Sequence, residues 1–136
     1  MMYADASFLV SLYLRDANSA VAVAFVKGQR QPLALTALQR HELRNALRLA
    51  VFRTKACPVP VIAADVYTAL AQIDADVISG NLMECALSWS EAMSAAERIG
   101  GAHTMTLGVR GMDLLNVAAA VATKSRVFLK IGRAHV

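Results

Sequence analysis

Cysteine is scarce in this 136-residue chain, and Cys57 and Cys85 stand far apart with no other soft ligand beside them. A zinc centre needs clustered Cys and His, and a disulfide framework needs more pairs. Neither pattern is present, so both thiols are read as core or near-surface residues. Aromatic residues make up 6% of the chain, too few for a platform on which single-stranded bases stack. Trp89 and Met93, at helical spacing, are read as core or interface residues. Charged residues are also few, at 18% against 57% hydrophobic, which excludes a disordered chain. Long apolar runs are missing as well. The two most apolar stretches, from Ala17 to Val26 and from Leu114 to Thr123, reach about half of the ~20 residues a membrane-spanning helix needs. Asp16, Lys27, Asp113 and Lys124 bound them. No membrane association is expected. The start of the chain has no basic segment of the signal-peptide kind, and a reducing cytoplasm is the expected location.

What is present is an alternation of short strands with helices, at a length suited to one domain with its own core. Met2 to Ala4 reads as a strand that stops at Asp5. From Ser7 the spacing turns helical, with Phe8, Leu9, Leu12 and Tyr13 on one face. A helix over Ser19 to Lys27 precedes Gly28. Pro32 to Leu35 reads as a strand. Thr36 then stands where it can cap a long helix running to about Thr54, with Gln39 at the matching position of a capping box. Cys57-Pro58-Val59-Pro60 is a break. Val61 to Ala71 is a further unit, and Asp74 to Leu87 is ambiguous. Ser88 to Ile99 is expected to be a helix that Gly100-Gly101 ends, and His103 to Gly111 a loop. Asp113 to Thr123 reads as an Ala-rich helix, and Arg126 to Leu129 as a late strand. Such an order implies a parallel sheet covered by helices. Reactive groups in these folds gather beyond the carboxyl ends of the strands.

Only ten residues are acidic, and three of them lie in apolar settings. Asp5 follows the first strand. Glu42 shares a helix face with Leu38, Asn45, Ala46 and Leu49. Asp113 lies in Gly-Met-Asp-Leu-Leu. Buried carboxylates are costly unless a cation or hydrogen-bond donors satisfy them. When several meet, mutual repulsion raises their pKa values. A hard divalent cation such as Mg²⁺ or Mn²⁺ removes that repulsion, takes oxygen ligands, and activates water near a phosphodiester. Taken singly, each acid also has a structural reading: Asp5 and Asp113 as helix N-caps, Glu42 as the partner of an arginine.

Three segments, in this order, resemble the PIN-domain family, and its VapC-like toxin ribonucleases in particular. Tyr3-Ala4-Asp5-Ala6-Ser7-Phe8-Leu9-Val10 resembles the family's opening strand and first acid. Thr36 to Ala46, with Glu42, resembles its central helix and second acid. His103-Thr104 to Leu107-Gly108, followed by Arg110 to Ala120, resembles the segment of the third acid, Asp113. The match runs over residues 2 to about 129. The resemblance implies a three-layer α/β/α sandwich with a central parallel sheet. It implies a metal-dependent endoribonuclease, the toxin of a toxin–antitoxin pair, with RNA as substrate, a cognate antitoxin as partner and a homodimeric state. Asp5, Glu42 and Asp113 would be the catalytic, metal-binding acids, with Mg²⁺ or Mn²⁺ as cofactor. Ser7, Thr36 and Asn116 would support them, Asn116 standing where many relatives have His. Arg110 would contact phosphate.

The end of the chain departs from the family. Gly132 falls about where a fourth acid is expected. Ile131-Gly132-Arg133-Ala134-His135-Val136 has the form of a translated sequencing adapter, so residues 1–129 are taken as the domain and 130–136 as a non-native tail. A parent gene with the same ending would disprove this. Without Lys130 and Arg133, Lys+Arg falls from 14 to 12 against 10 acids, and the net charge from +4 to +2. The alternative reading is a catalytically impaired module that binds an antitoxin-like partner or dimerises. A phosphatase of the haloacid-dehalogenase type is disfavoured, because Ser7 stands where its second Asp belongs. Arg40, Arg44 and Arg48 form an i, i+4, i+8 stripe, read as solvated or partner-facing, and His103 as a local hydrogen-bonding residue.

Overall fold

Side chains of a strand alternate between faces, and here the alternation builds two cores. On β1 (Met2–Ala4), Met2 and Ala4 face one way and Tyr3 the other. On β2 (Leu33–Leu35), Leu33 and Leu35 oppose Ala34. Met2, Ala4, Leu33 and Leu35 pack with Phe8 and Leu9 of α1 (Ala6–Tyr13), Ala22 of α2 (Ser19–Lys27), Leu43 and Leu47 of α3 (Ala37–Arg53), and Val66, Ala69 and Ile73 of α4 (Ala63–Ser79). On the opposite face, Tyr3 and Ala34 pack with Leu38 of α3 and with Ala119 and Ala120 of α6 (Gly111–Ala122). The Ala-rich face of α6 lets that helix lie close to the sheet. The computed structural model describes residues 1–132.

Two further strands, β3 (Leu82–Glu84) and β4 (Val127–Leu129), complete a four-stranded, all-parallel sheet of order β3-β2-β1-β4. The expected α/β/α sandwich is the architecture found. The chain steps from β1 outward to β2 and β3, then returns to the other side of β1 as β4. The order therefore reverses at β1, and ligands of open α/β sheets bind beyond the carboxyl ends of strands at such a reversal. The residues that follow β1 and β4 are Asp5 and Lys130.

Two expectations need correction. Gly100-Gly101 does not end a helix. α5 (Trp89–Leu107) runs through both glycines and stops at Gly108, whose φ of 64° is left-handed. At Gly100 the reason is packing: an added Cβ would come within 2.9 Å of Leu114 Cδ2 on α6. Most of the segment from His103 to Gly111 is thus helix rather than loop. The ambiguous stretch from Asp74 to Leu87 divides into the end of α4, a left-handed turn at Gly80 and β3. Trp89 and Met93 are half-exposed on α5 and are not core. Among the described residues no helix is long and apolar enough to cross a membrane.

Candidate metal centre

Asp5 is fixed twice. Its backbone N–H donates to the Leu129 carbonyl at 2.9 Å, which ties the end of β1 to β4. Its side chain caps α1: Oδ1 accepts from Phe8 N–H at 3.0 Å and from the Ser7 hydroxyl at 2.6 Å. The structural reading of Asp5 as an N-cap is therefore correct, and both of these hydrogen bonds fall on Oδ1, leaving Oδ2 without one among the described residues. Ser7 is anchored in turn, accepting from Ile131 N–H at 3.3 Å.

Glu42 is placed by α3, whose start is held by the expected capping box. Thr36 Oγ1 accepts from Gln39 N–H, and the Gln39 side-chain oxygen accepts from Thr36 N–H at 2.8 Å. Gln39 is fully buried, and its amide donates to the Ala4 carbonyl at 2.8 Å. That bond couples the end of β1 to the start of α3, and so the position of Asp5 to that of Glu42. Leu43 and Leu47, fully buried one turn apart, hold the same helix against the sheet.

Asp113 lies in the first turn of α6, where the helix dipole favours a negative charge. One turn on, Asn116 is buried and links three elements. Its Nδ2 donates to Glu42 Oε2 at 2.7 Å and to the Met112 carbonyl at 3.1 Å, while its Oδ1 accepts from the Tyr3 hydroxyl at 3.0 Å. Tyr3 stacks on Phe128, with ring centroids 5.8 Å apart. The relay from Tyr3 through Asn116 orients the Glu42 carboxylate.

Asp5, Ser7, Glu42, Arg110, Asp113 and Asn116 line one cleft of about 460 Å³, together with Lys130 and Ile131. Of the residues singled out in the sequence, Thr36 is absent from this lining. It is buried, and it caps the helix that carries Glu42. Arg40 and Arg44 of the stripe pair with Glu84 and Asp74, which accounts for them structurally. His103 is exposed on α5.

Sequence reasoning missed three contributors: Tyr3, Gln39 and Lys130. Tyr3 and Gln39 were legible only as a strand residue and a capping residue. Lys130 was assigned to the tail, yet its Nζ lies 2.8 Å from Asp113 Oδ1 and 4.0 Å from Asp5 Oδ2. Its hydrogen bond to Asp113 raises the lysine pKa. Residues 130–132 of the expected tail thus belong to the described structure, and Ile131 packs on the larger core. Residues 133–136 lie outside the described residues.

Burial raises the pKa of Glu42, the Asn116 hydrogen bond opposes this, and the charges of Asp5 and Asp113 add to the rise. The folded state therefore binds a proton at Glu42 where the unfolded chain has lost it. Stability falls as pH climbs from the ordinary carboxylate range through the raised value. In metal-free protein, Glu42→Gln is expected to flatten that part of the stability profile, since its amide oxygen still accepts from Asn116. Urea midpoints at pH 4 to 8 check this; a profile as steep as that of the parent protein would contradict it.

The donor set suits a hard divalent ion: carboxylate oxygens with no thiol or imidazole. Among the described residues, Asp5 Oδ2 and Glu42 Oε1 accept no hydrogen bond. As they stand, no three acid, His or Cys side chains among the described residues are grouped closely enough to hold one ion. Within the cleft, Asp113 Oδ1 is engaged by Lys130. The oxygens that Asp5 and Glu42 leave without a hydrogen bond are of the kind such an ion takes, while Asp113 Oδ1 is held by Lys130.

The fold is a PIN-like α/β/α sandwich, and three of its acids line one cleft beyond the reversal of its sheet. Among solved structures, the chain is similar to VapC20 of Mycobacterium tuberculosis, a Sarcin-Ricin loop cleaving toxin. The TM-score is 0.66 at 14% identity, over 97% of this chain and 90% of that one. This likeness shows a shared fold. No protein-family model and no curated protein sequence matches the chain.

Proposed function

We propose that this chain is a metal-dependent endoribonuclease, the toxin component of a toxin–antitoxin pair. The observation that carries this reading is the convergence of Asp5, Glu42 and Asp113, from three separate elements, on one cleft at the sheet reversal. The fold shared with a Sarcin-Ricin loop cleaving toxin supports it.

Asp5, Glu42 and Asp113 would hold Mg²⁺ or Mn²⁺. When bound, the ion supplies an activated water and offsets charge on the phosphodiester. Ser7 keeps Asp5 Oδ1 occupied, so that Oδ2 would be the oxygen offered to the ion. Asn116 does the same for Glu42 through Oε2. Arg110, exposed at the cleft and at the N-cap of α6, would bind an RNA phosphate. In this reading the protein works in the cytoplasm as a homodimer restrained by a cognate antitoxin. Exposed apolar residues such as Met105, Leu107 and Met112 offer surface for such contacts.

Two observations favour the second reading, a catalytically impaired module that only binds a partner: a lysine engages Asp113, and Gly132 stands where a fourth acid is expected. The deciding experiment is cleavage of a structured RNA with Mn²⁺ and with chelator. Cleavage in Mn²⁺ that chelator abolishes supports the nuclease. Intact RNA in both, with folded protein, supports the binding module.

A further inference from the structure

The acid cleft carries its own cation. Lys130 Nζ reaches Asp113 Oδ1 at 2.8 Å and lies 4.0 Å from Asp5 Oδ2. This is not a lysine that happened to fall on a surface acid, because the backbone on both sides of it is held. On one side, β4 pairs with β1 in the register Ala4 with Leu129, and Leu129 accepts the Asp5 N–H. On the other, Ile131 donates its N–H to Ser7 Oγ and packs its side chain on the core. Lys130 is therefore set beside Asp5 by the same register that forms the sheet. Arg110, the other cation of the cleft, pairs with none of the three acids among the described residues.

We infer that Lys130 is a built-in counter-cation of the acid cleft, which a divalent ion must displace from Asp113 before it can bind there. The physical basis is competition for one set of charges. Converging carboxylates need positive charge nearby, and a lysine satisfies part of that need without a metal. The same ammonium repels an incoming divalent ion and blocks one oxygen of Asp113. Lysine suits this role, since its compact head on a flexible stem can leave without moving the backbone. The metal-free fold is thereby stabilised, and the affinity for metal is lowered. The inference rests on the reading of the cleft as a divalent site, and on Lys130 belonging to the domain rather than to the adapter-like ending.

The test is Mn²⁺ binding, read from the electron paramagnetic resonance of free Mn²⁺, with thermal midpoints of the metal-free protein alongside. Lys130→Met is expected to bind Mn²⁺ about tenfold more tightly, the order expected for removing one partly screened unit charge. Lys130→Arg keeps the charge and is expected to bind like the parent protein. The metal-free Lys130→Met protein is expected to melt lower than the parent and to regain the loss when Mn²⁺ is added. Should Lys130→Met not fold, Lys130→Gln takes its place. Equal or weaker Mn²⁺ binding by the uncharged variant overturns the inference and leaves the divalent site standing. No Mn²⁺ binding by parent and variant alike overturns the divalent site, and the inference with it.

Discussion

Asp5→Asn is expected to fold like the parent protein and to lose roughly a hundredfold to a thousandfold of Mn²⁺-dependent RNA cleavage, the order seen when a key charge-stabilising group is removed from an active site. The asparagine keeps what the fold needs. Its side-chain oxygen can still accept from Phe8 N–H and the Ser7 hydroxyl, so α1 stays capped. What it lacks is the negative charge, including that on Oδ2, the oxygen the cap leaves without a hydrogen bond. Asp5→Ala would confound the two roles, because it removes the cap as well. The check is single-turnover cleavage beside a urea melt. Full activity in Asp5→Asn would reduce Asp5 to a capping residue.

Gln39→Leu is expected to cost about 2–4 kcal/mol of stability, because two buried backbone groups lose their partner at about 1–3 kcal/mol each. These groups are the Thr36 N–H and the Ala4 carbonyl, bound by the two ends of one amide. Leucine is close in size, so the loss is one of hydrogen bonds rather than volume. The effect is also expected to reach the cleft. Gln39 joins the end of β1, one residue before Asp5, to the start of α3, one turn before Glu42. Mn²⁺ affinity is therefore expected to fall with stability, although Gln39 does not line the cleft. Urea denaturation and Mn²⁺ titration check both parts. An unchanged urea midpoint would show that the amide does not couple the two elements.

The layers of the fold were legible because burial on a parallel sheet leaves a plain mark. Met2-Tyr3-Ala4 and Leu33-Ala34-Leu35 are short apolar runs, and each is followed by a residue that caps a helix. Asp5 and Thr36 announced both the strand ends and the helix starts. The α5 helix was misjudged because a Gly-Gly pair carries the same local signal whether it ends a helix or admits a neighbouring one. Only the approach of Leu114 to Gly100 separates the two cases. The strand β3 has three residues, too few for a period to show.

The candidate acids were found by their setting, as charges among apolar neighbours, and the structure brings them to one cleft. Their supports were hidden for a different reason. Tyr3 and Gln39 act across 113 and 35 residues of sequence, through contacts to Asn116 and Ala4 that no local pattern encodes. Lys130 was hidden by its place in an ending that resembles an adapter. Its reach into the cleft follows from the register of β4 on β1, which sequence spacing alone does not reveal.

The most direct test of the central claim is the chemistry of the cut ends after incubating a structured RNA with the protein and Mn²⁺. Attack by a metal-activated water leaves a linear monophosphate on one fragment and a hydroxyl on the other, and that is the expected result. Fragments ending in 2′,3′-cyclic phosphate, formed as readily with chelator as with Mn²⁺, would contradict the account, since the RNA's own 2′-hydroxyl would then be the nucleophile and the acid cleft would have no part in the reaction.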